Sequence, residues 1–411
     1  MTIDIRTIRP DETAAWIEAV GTAFFDRTDP ERVAEELRPL WDFDRVWGAL
    51  DGPTMVGTFR TWATELTVPG GARLPATAVT GVTVRPSHRR RGILTGMVAS
   101  GHTAARESGE AVGLLYAAEY PIYGRFGYGP ASREATWTVD ASAPGFHHPA
   151  RGSVELVKPT SEVRDVVKGI FDAWRLGHAG EIGRREYRWD FDLGLRESVW
   201  GPRWNGFLAL HRGEDGEIDG YVRYKAEEKW AQRQPRAVVS VDELHALTDD
   251  AYDALWQFLV RMDLVTIVKA ERRQPAERLA WLLTNARTAE ISEVGDGIWA
   301  ALLDVPRALA ARTYGREGAV VLEVIEGRGT DGATRSRLAL EAGPDGATCN
   351  PTDRSAELTL DVAALGAAYL GGARLRDAVA ARGCDEHRAG ALAQADAMFS
   401  TSDQPWCSTF F

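Results

Sequence analysis

Apolar positions recur along this chain in two periods, one of two residues and one near 3.6, and each change of period marks an element boundary. Ile3 to Ile8 reads as a strand, and apolar positions over Glu12 to Phe24 and over Pro30 to Leu40 recur at helical spacing. Strand-like runs follow, interrupted by turn residues at Asp51-Gly52, at Pro69-Gly70-Gly71 and at Gly81. After Val82-Thr83-Val84 the chain turns through Arg85 to Gly92, and Leu94, Met97, Val98, Gly101 and Ala105 then fall on one helical face. A strand over Val112 to Ala118 comes next. Strands alternating with helices predict an α/β or α+β layer over residues 1–150, not a helix bundle.

The pattern loosens from Ala143-Pro144-Gly145 to Arg151-Gly152, which predicts a second unit over 151–290. Its order echoes the first: strands over Phe207 to His211, Gly220 to Tyr224 and Ala237 to Leu247, a helix over Ala251 to Met262, and a strand over Thr266 to Ala270. A third unit over 291–411 is expected to hold strands at Ile298 to Val305, Val320 to Ile325, Arg337 to Glu341 and Glu357 to Leu360. Amphipathic helices close it at Ala363 to Leu370, Leu375 to Arg382 and Ala389 to Phe399. Three units suit a chain of 411 residues, longer than one hydrophobic core usually serves.

Charge narrows the partners. The chain carries 59 acidic against 48 basic residues, a net charge of −11, which disfavours nucleic acid and anionic membranes and draws cations. Neither a signal peptide nor a run of the ~20 apolar residues that span a bilayer is apparent, so a cytoplasmic protein is expected. The odd, widely spaced Cys349, Cys384 and Cys407 fit reduced thiols, and no metal site is expected from them.

Against that acidic background, Val82-Thr83-Val84-Arg85-Pro86-Ser87-His88-Arg89-Arg90-Arg91-Gly92-Ile93-Leu94-Thr95 stands out. A strand that turns through arginines and a glycine into a helix builds an anion site, because the first helical N–H groups lack intrahelical partners and the helix dipole is positive there. Arginine adds charged, fork-shaped donor sets. A solvated basic turn is the competing reading. His88 beside the arginines reads as a loop hydrogen-bonder, whereas His147, His148 and His178 lack partners at ligand spacing and are expected at the surface. Further on, Ile122-Tyr123-Gly124-Arg125-Phe126-Gly127-Tyr128-Gly129-Pro130 puts a tyrosine ahead of an aromatic-glycine-aromatic turn.

This series resembles the acyl-CoA core of the GNAT N-acetyltransferase superfamily. Arg89 and Gly92 meet the superfamily's loop pattern, and Leu94 departs from it. The chain is more specifically similar to the enhanced intracellular survival (Eis) family of acetyltransferases, through residues 82–94 and 122–130, through Tyr369-Leu370-Gly371-Gly372, and through a terminal Phe411. The resemblance implies two tandem GNAT-like domains followed by a sterol-carrier-like domain. It also implies acetyl-CoA as co-substrate, a homohexamer, and aminoglycosides or lysine side chains as acceptors. The cofactor would lie along Val82, Thr83 and Val84, over the loop and helix start at Arg89, Arg90, Arg91, Gly92, Ile93, Leu94 and Thr95, and beside Ala118 and Glu119. In the second domain the equivalent turn reads Ala246-Leu247-Thr248-Asp249-Asp250, whose carboxylates would repel a pyrophosphate, so no cofactor is expected there.

Amine acetylation needs a base to free the lone pair, donors for the thioester carbonyl, and a proton for the departing thiolate. Tyr123 is the candidate acid, since a phenol of pKa about 10 can protonate a thiolate whose acid lies near ~8.5; a packing tyrosine is the alternative. For the base the resemblance implies the terminal carboxylate of Phe411. The tail Pro405-Trp406-Cys407-Ser408-Thr409-Phe410-Phe411 is too aromatic for a free end, although an inter-domain anchor would explain its rings equally well. Phe24 and Asp26, with Trp41, Phe43, Trp47, Asp42 and Asp44, combine aromatic and acidic groups suited to a cationic acceptor, or to plain packing. Two other functions remain open from the sequence: a GNAT enzyme acting on an unrelated small amine, and a non-catalytic acyl-CoA-binding regulator.

Overall fold

The structure is a computed structural model, and it describes residues 3–27, 29–143, 145–197, 201–327 and 332–411. Pro144 of the expected linker lies outside the described residues. The first segment forms β1 (Asp4–Thr7), α1 (Thr13–Phe24), α2 (Pro30–Leu37), β2 (Val46–Asp51), β3 (Thr54–Thr67), β4 (Arg73–Val84), α3 (Ile93–Glu107), β5 (Val112–Tyr116), α4 (Tyr120–Tyr123) and β6 (Gly129–Pro130). The second forms β7 (Arg133–Asp140), β8 (Ser153–Val157), α5 (Ser161–Trp174), α6 (Glu186–Asp192), β9 (Phe207–Arg212), β10 (Ile218–Glu227), a small hairpin of β11 (Trp230–Ala231) and β12 (Gln234–Pro235), β13 (Ala237–Ala246), α7 (Asp249–Val260), β14 (Val265–Arg273), α8 (Leu279–Leu282) and β15 (Ala289–Asp296). The last forms β16 (Ile298–Leu302), α9 (Val305–Ala310), β17 (Gly318–Glu326), β18 (Thr334–Gly343), β19 (Gly346–Pro351), β20 (Leu358–Asp361), α10 (Val362–Ala368), α11 (Leu375–Arg382), β21 (Cys384–Glu386) and α12 (Ala391–Phe399).

Three larger sheets organise these elements, in the orders β1-β2-β3-β4-β5-β16-β6, β15-β7-β14-β13-β10-β9-β8 and β19-β18-β17-β20-β21. Sheet membership corrects the expected segmentation in two places. Ile298 to Leu302, expected in the third unit, lies in the first sheet between β5 and β6. Every residue of this strand is buried, so it needs cover on both faces, which a central position supplies. Conversely β7, inside the expected first unit, pairs with β14 and β15 of the second sheet. The chain thus crosses between the sheets twice, and Ser132 ties the crossings together, accepting from Gly297 N at 2.9 Å and from Ile298 N through its hydroxyl at 3.0 Å.

Helix α3 packs through Ile93, Met97 and Val98 onto one face of the first sheet, beside Trp47 and Phe59. On the opposite face, α1 and α2 bury Trp16, Ile17, Val33 and Leu37 against β2 and β3. Farther along that face, Ala76, Leu114 and Ala300 share one continuous core with Leu322, Leu340, Leu358 and Leu365 of the third domain. The third domain is thereby fused to the first sheet. Gly129 makes one such contact possible, since a Cβ there would run into the Ala363 carbonyl of α10. The second sheet carries α7 on one face and α5 with α6 on the other.

Candidate active site

β4 and β5 run parallel but pair only from Ala76–Val112 to Ala78–Leu114. Beyond those residues β4 continues to Val84 and β5 to Tyr116 with no pairing between them. This fork opens a cleft of about 580 Å³ whose walls include Val79 to Val82 from one strand and Leu115 to Ala118 from the other. Backbone groups on the facing edges are left to a ligand, because a strand without its neighbour keeps unused donors and acceptors.

At the far end of β4 the chain passes through the arginine loop into α3. Gly92 is the N-cap with φ 76°, a left-handed conformation that glycine adopts without a Cβ penalty, and no side chain caps the helix. Arg89, Arg90 and Arg91 are exposed. Arg91 donates to Ser87 O at 3.2 Å. Neither Arg89 nor Arg90 makes a side-chain hydrogen bond or ion pair among the described residues, so both guanidinium groups face solvent beside open helix amides. Ile93 is buried in the α3 core and Thr83 Oγ1 lies 2.6 Å from Thr58 Oγ1, so at those two positions only the backbone faces outward. His88 bonds Asp51 at 3.2 Å and Ser87 at 2.9 Å.

Tyr123, the last residue of α4, is buried in the cleft wall. Burial first, then the Glu119 carboxylate, pushes its phenol up to about 12, so it keeps its proton throughout the neutral range. The chain terminus reaches the same cleft. Phe411 packs edge-on against Trp62 at 5.7 Å and against Tyr116 at 5.3 Å, and Phe410 meets Tyr116 at 4.8 Å. Sequence positions near 120 and 411 are thus brought together by the fold.

The acidic and aromatic candidates divide. Phe24 and Trp41 line the cleft. Asp26 borders an adjoining groove that also takes in Phe24. Trp47 belongs to the α3 core, and Asp42 caps a turn by accepting from Asp44 N at 3.2 Å. His178, expected at the surface, is half-buried: its ring stacks on Trp174 at 3.9 Å and its Nδ1 bonds Trp174 O at 2.8 Å. A neighbouring indole, not a ligand, accounts for it. His147 and His148 are exposed.

Two acidic residues that the sequence did not single out also line the cleft, Glu134 and Asp296. Burial raises the Glu134 carboxyl, against the pull of Arg272 and with the help of Asp296, and its Oε2 is buried without a hydrogen-bond partner among the described residues. No local pattern marks either residue, since they meet only because β7 and β15 pair at Glu134–Gly295. A larger groove of about 710 Å³ between the first and third domains, with Arg106, Arg307 and Arg337 on its walls, contains none of the candidate residues.

The forked sheet, the uncapped helix after an arginine loop, and a buried tyrosine across the cleft define an N-acetyltransferase of the GNAT class, with acetyl-CoA as its co-substrate. Family comparisons agree: residues 4–131 and 180–312 each match a model of the acetyltransferase (GNAT) domain, and residues 305–408 match the sterol carrier protein domain. The N-acetyltransferase Eis of Mycobacterium tuberculosis (strain ATCC 25177 / H37Ra) is 36% identical over 423 residues, covering 100% of both chains. An uncharacterized N-acetyltransferase of Streptomyces griseus is 40% identical over 421 residues, again covering 100% of both. The crystal structure of Eis1 from Mycobacterium abscessus superposes with a TM-score of 0.84 at 30% identity, over 99% of this chain and 100% of that one. The chain belongs to the Eis family of GNAT N-acetyltransferases.

Proposed function

We propose that this enzyme transfers acetyl from acetyl-CoA to an amine of a cationic acceptor, an aminoglycoside or a lysine side chain, with Tyr123 as general acid and the terminal carboxylate of Phe411 as general base. The observation that carries the reading is that Tyr123 and Phe411 line one cleft, in the fork of the first sheet. The cofactor's pantetheine arm would run along Val82, Thr83 and Val84, with Ala118 and Glu119 on its other side. Its pyrophosphate would meet Arg89, Arg90 and Arg91 and the amides from Gly92 to Thr95. Phe24, Asp26, Glu134 and Asp296 would attract and seat the cation.

In this reading the acceptor ammonium gives its proton to the Phe411 carboxylate, and the free amine attacks the thioester carbon. Backbone N–H groups of the β4 edge stabilise the tetrahedral oxyanion. Collapse breaks the carbon–sulfur bond, Tyr123 protonates the thiolate of CoA, and the second proton leaving the new amide nitrogen restores the Tyr123 phenol through solvent while Phe411 releases its proton to water. With β7 counted to the second domain and β16 to the first, the segments expected at 1–150, 151–290 and 291–411 then serve as the cofactor-binding, the cofactor-free and the tail-carrying parts of a cytoplasmic homohexamer, whose subunit number light scattering reads.

The deciding experiment separates charge from position at the terminus. One added glycine moves the carboxylate by up to about 3.6 Å, beyond hydrogen-bond reach of its former partner. An amidated terminus, made by ligation, keeps the position and removes the charge. Both should lose turnover while acetyl-CoA affinity and melting temperature hold. Full activity in the amidated protein would remove Phe411 from the reaction.

A further inference from the structure

The second domain repeats the fork of the first. β13 and β14 run parallel and pair from Ala237–Val265 to Val241–Ala270, and no further pairs join them toward Ala246 and Arg273. Here the opening is filled by the chain's own tail. Trp406, 3% exposed, donates its indole N–H to Arg272 O of β14 at 2.8 Å and lies beneath the Arg273 guanidinium at 4.8 Å. Ser408 Oγ lies 3.3 Å from His245 Nε2 of β13. The tail therefore touches both prongs.

Glu181 holds it there. This carboxylate is fully buried and accepts from Ser408 N at 2.7 Å, Ser408 Oγ at 2.6 Å and the Cys407 thiol at 3.5 Å. Its remaining donor is the neighbouring Ile182 N at 3.0 Å, and no lysine or arginine pairs with it among the described residues. Withdrawal of the tail would remove three of the four donors that this carboxylate holds, so the bonds favour a docked tail. Arg184 supports the same segment, donating to Thr409 Oγ1 at 2.8 Å and Ser408 Oγ at 3.2 Å. Arg188 donates to Phe410 O.

We infer that the second GNAT domain is a clamp in which Glu181 acts as the positioning residue: its strand fork holds residues 406–409 and so aims Phe411 into the cleft of the first domain. The clamp explains why a duplicated domain without a phosphate loop is still part of the enzyme. Its bearing on turnover, though not its existence, rests on the proposed role of the terminal carboxylate.

Carboxypeptidase A, which removes C-terminal aromatic residues, tests the clamp on the full-length protein, with release of Phe411 followed by mass spectrometry. Glu181→Ala should speed release by about tenfold or more, and Glu181→Gln, which keeps an acceptor for Ser408 N, should return most of the protection. In parallel kcat should fall in Glu181→Ala and recover in Glu181→Gln, with acetyl-CoA affinity unchanged. Undiminished protection in a folded Glu181→Ala protein overturns the clamp. Should that variant fail to fold, Ser408→Ala, which deletes the hydroxyl's contacts with Glu181, Arg184 and His245 and keeps the Ser408 N–H bond, decides by the same readout: faster release supports the clamp and unchanged release overturns it. Faster release with unaltered kcat leaves the clamp standing and removes the terminal carboxylate from the chemistry.

Discussion

The rings of Tyr116 and Phe411 meet edge-on, their centroids 5.3 Å apart, so the free end of the first sheet's fifth strand touches the last residue of the chain. Tyr116 also reaches the tail backbone, its hydroxyl donating to Thr409 O at 3.3 Å and Cys407 O at 3.4 Å. A terminus held this way belongs to the cleft as firmly as any loop.

Replacing Arg89 and Arg90 together by alanine should weaken acetyl-CoA binding by about 10²–10⁴-fold, since each charge-assisted hydrogen bond is worth about 1.5–3 kcal/mol. Stability should hardly change, because both side chains are exposed. Calorimetric titration with CoA beside a thermal melt reads both. Unchanged affinity would relocate the pyrophosphate.

Tyr123→Phe keeps the ring and deletes the proton. Turnover should fall by about 10²–10⁴-fold with acetyl-CoA affinity intact. In the unaltered enzyme the phenol is held up to about 12, so its ionisation should place no downward break in the kcat profile at mildly alkaline pH. A break near 9 or 10 that Tyr123→Phe abolishes would contradict this, since an exposed phenol titrates near ~10.

Acid should destabilise the first domain through His102. Burial, with Arg106 beside it, holds that imidazole down to about 4, and its Nε2 lies 2.9 Å from the Tyr128 hydroxyl. An unfolded histidine titrates near ~6.5, so between these values the unfolded chain binds the extra proton. The group's contribution is therefore full above ~6.5 and is lost as pH falls through the folded value, by up to about 3 kcal/mol. Urea melts from pH 4 to 7 should be flatter in His102→Gln. Parallel slopes would assign the acid sensitivity elsewhere.

Gly129→Ala puts a methyl group where the Ala363 carbonyl of α10 already stands. Overpacking of this kind costs about 1–3 kcal/mol, and here the clash is with backbone, which yields least. Thermal unfolding should shift down, and activity should fall with it as the third domain loosens. An unaltered melt would mean that α10 can retreat without cost.

Much of the architecture was legible because local rules wrote it. Helical spacing over Leu94 to Ala105 and turn residues at Gly52 and at Gly70-Gly71 fix elements through interactions between near neighbours, and α3 and the β3–β4 connection stand where these signals put them. Gly92 before an apolar helix announced the uncapped N-terminus for the same reason. At the loop after β13 the local signal was read on the wrong residues: Thr248, and not Asp249 or Asp250, caps α7, accepting from Ala251 N at 3.1 Å. Other features had no local author. Ile298 to Leu302 is an apolar run that could have joined any sheet, and only the vacancy between β5 and β6 assigned it to the first. Glu134 and Asp296 became one acidic wall through a strand pairing that neither residue specifies. The sequence alone determined the turns and most of the strands and helices, because those depend on residues a turn apart, although it carried the strand after Ile298 on to Val305, where α9 already begins. Tertiary structure alone decided which sheet each strand completes and where the tail runs, because burial of a carboxylate such as Glu181 is settled only by what the rest of the chain brings to it.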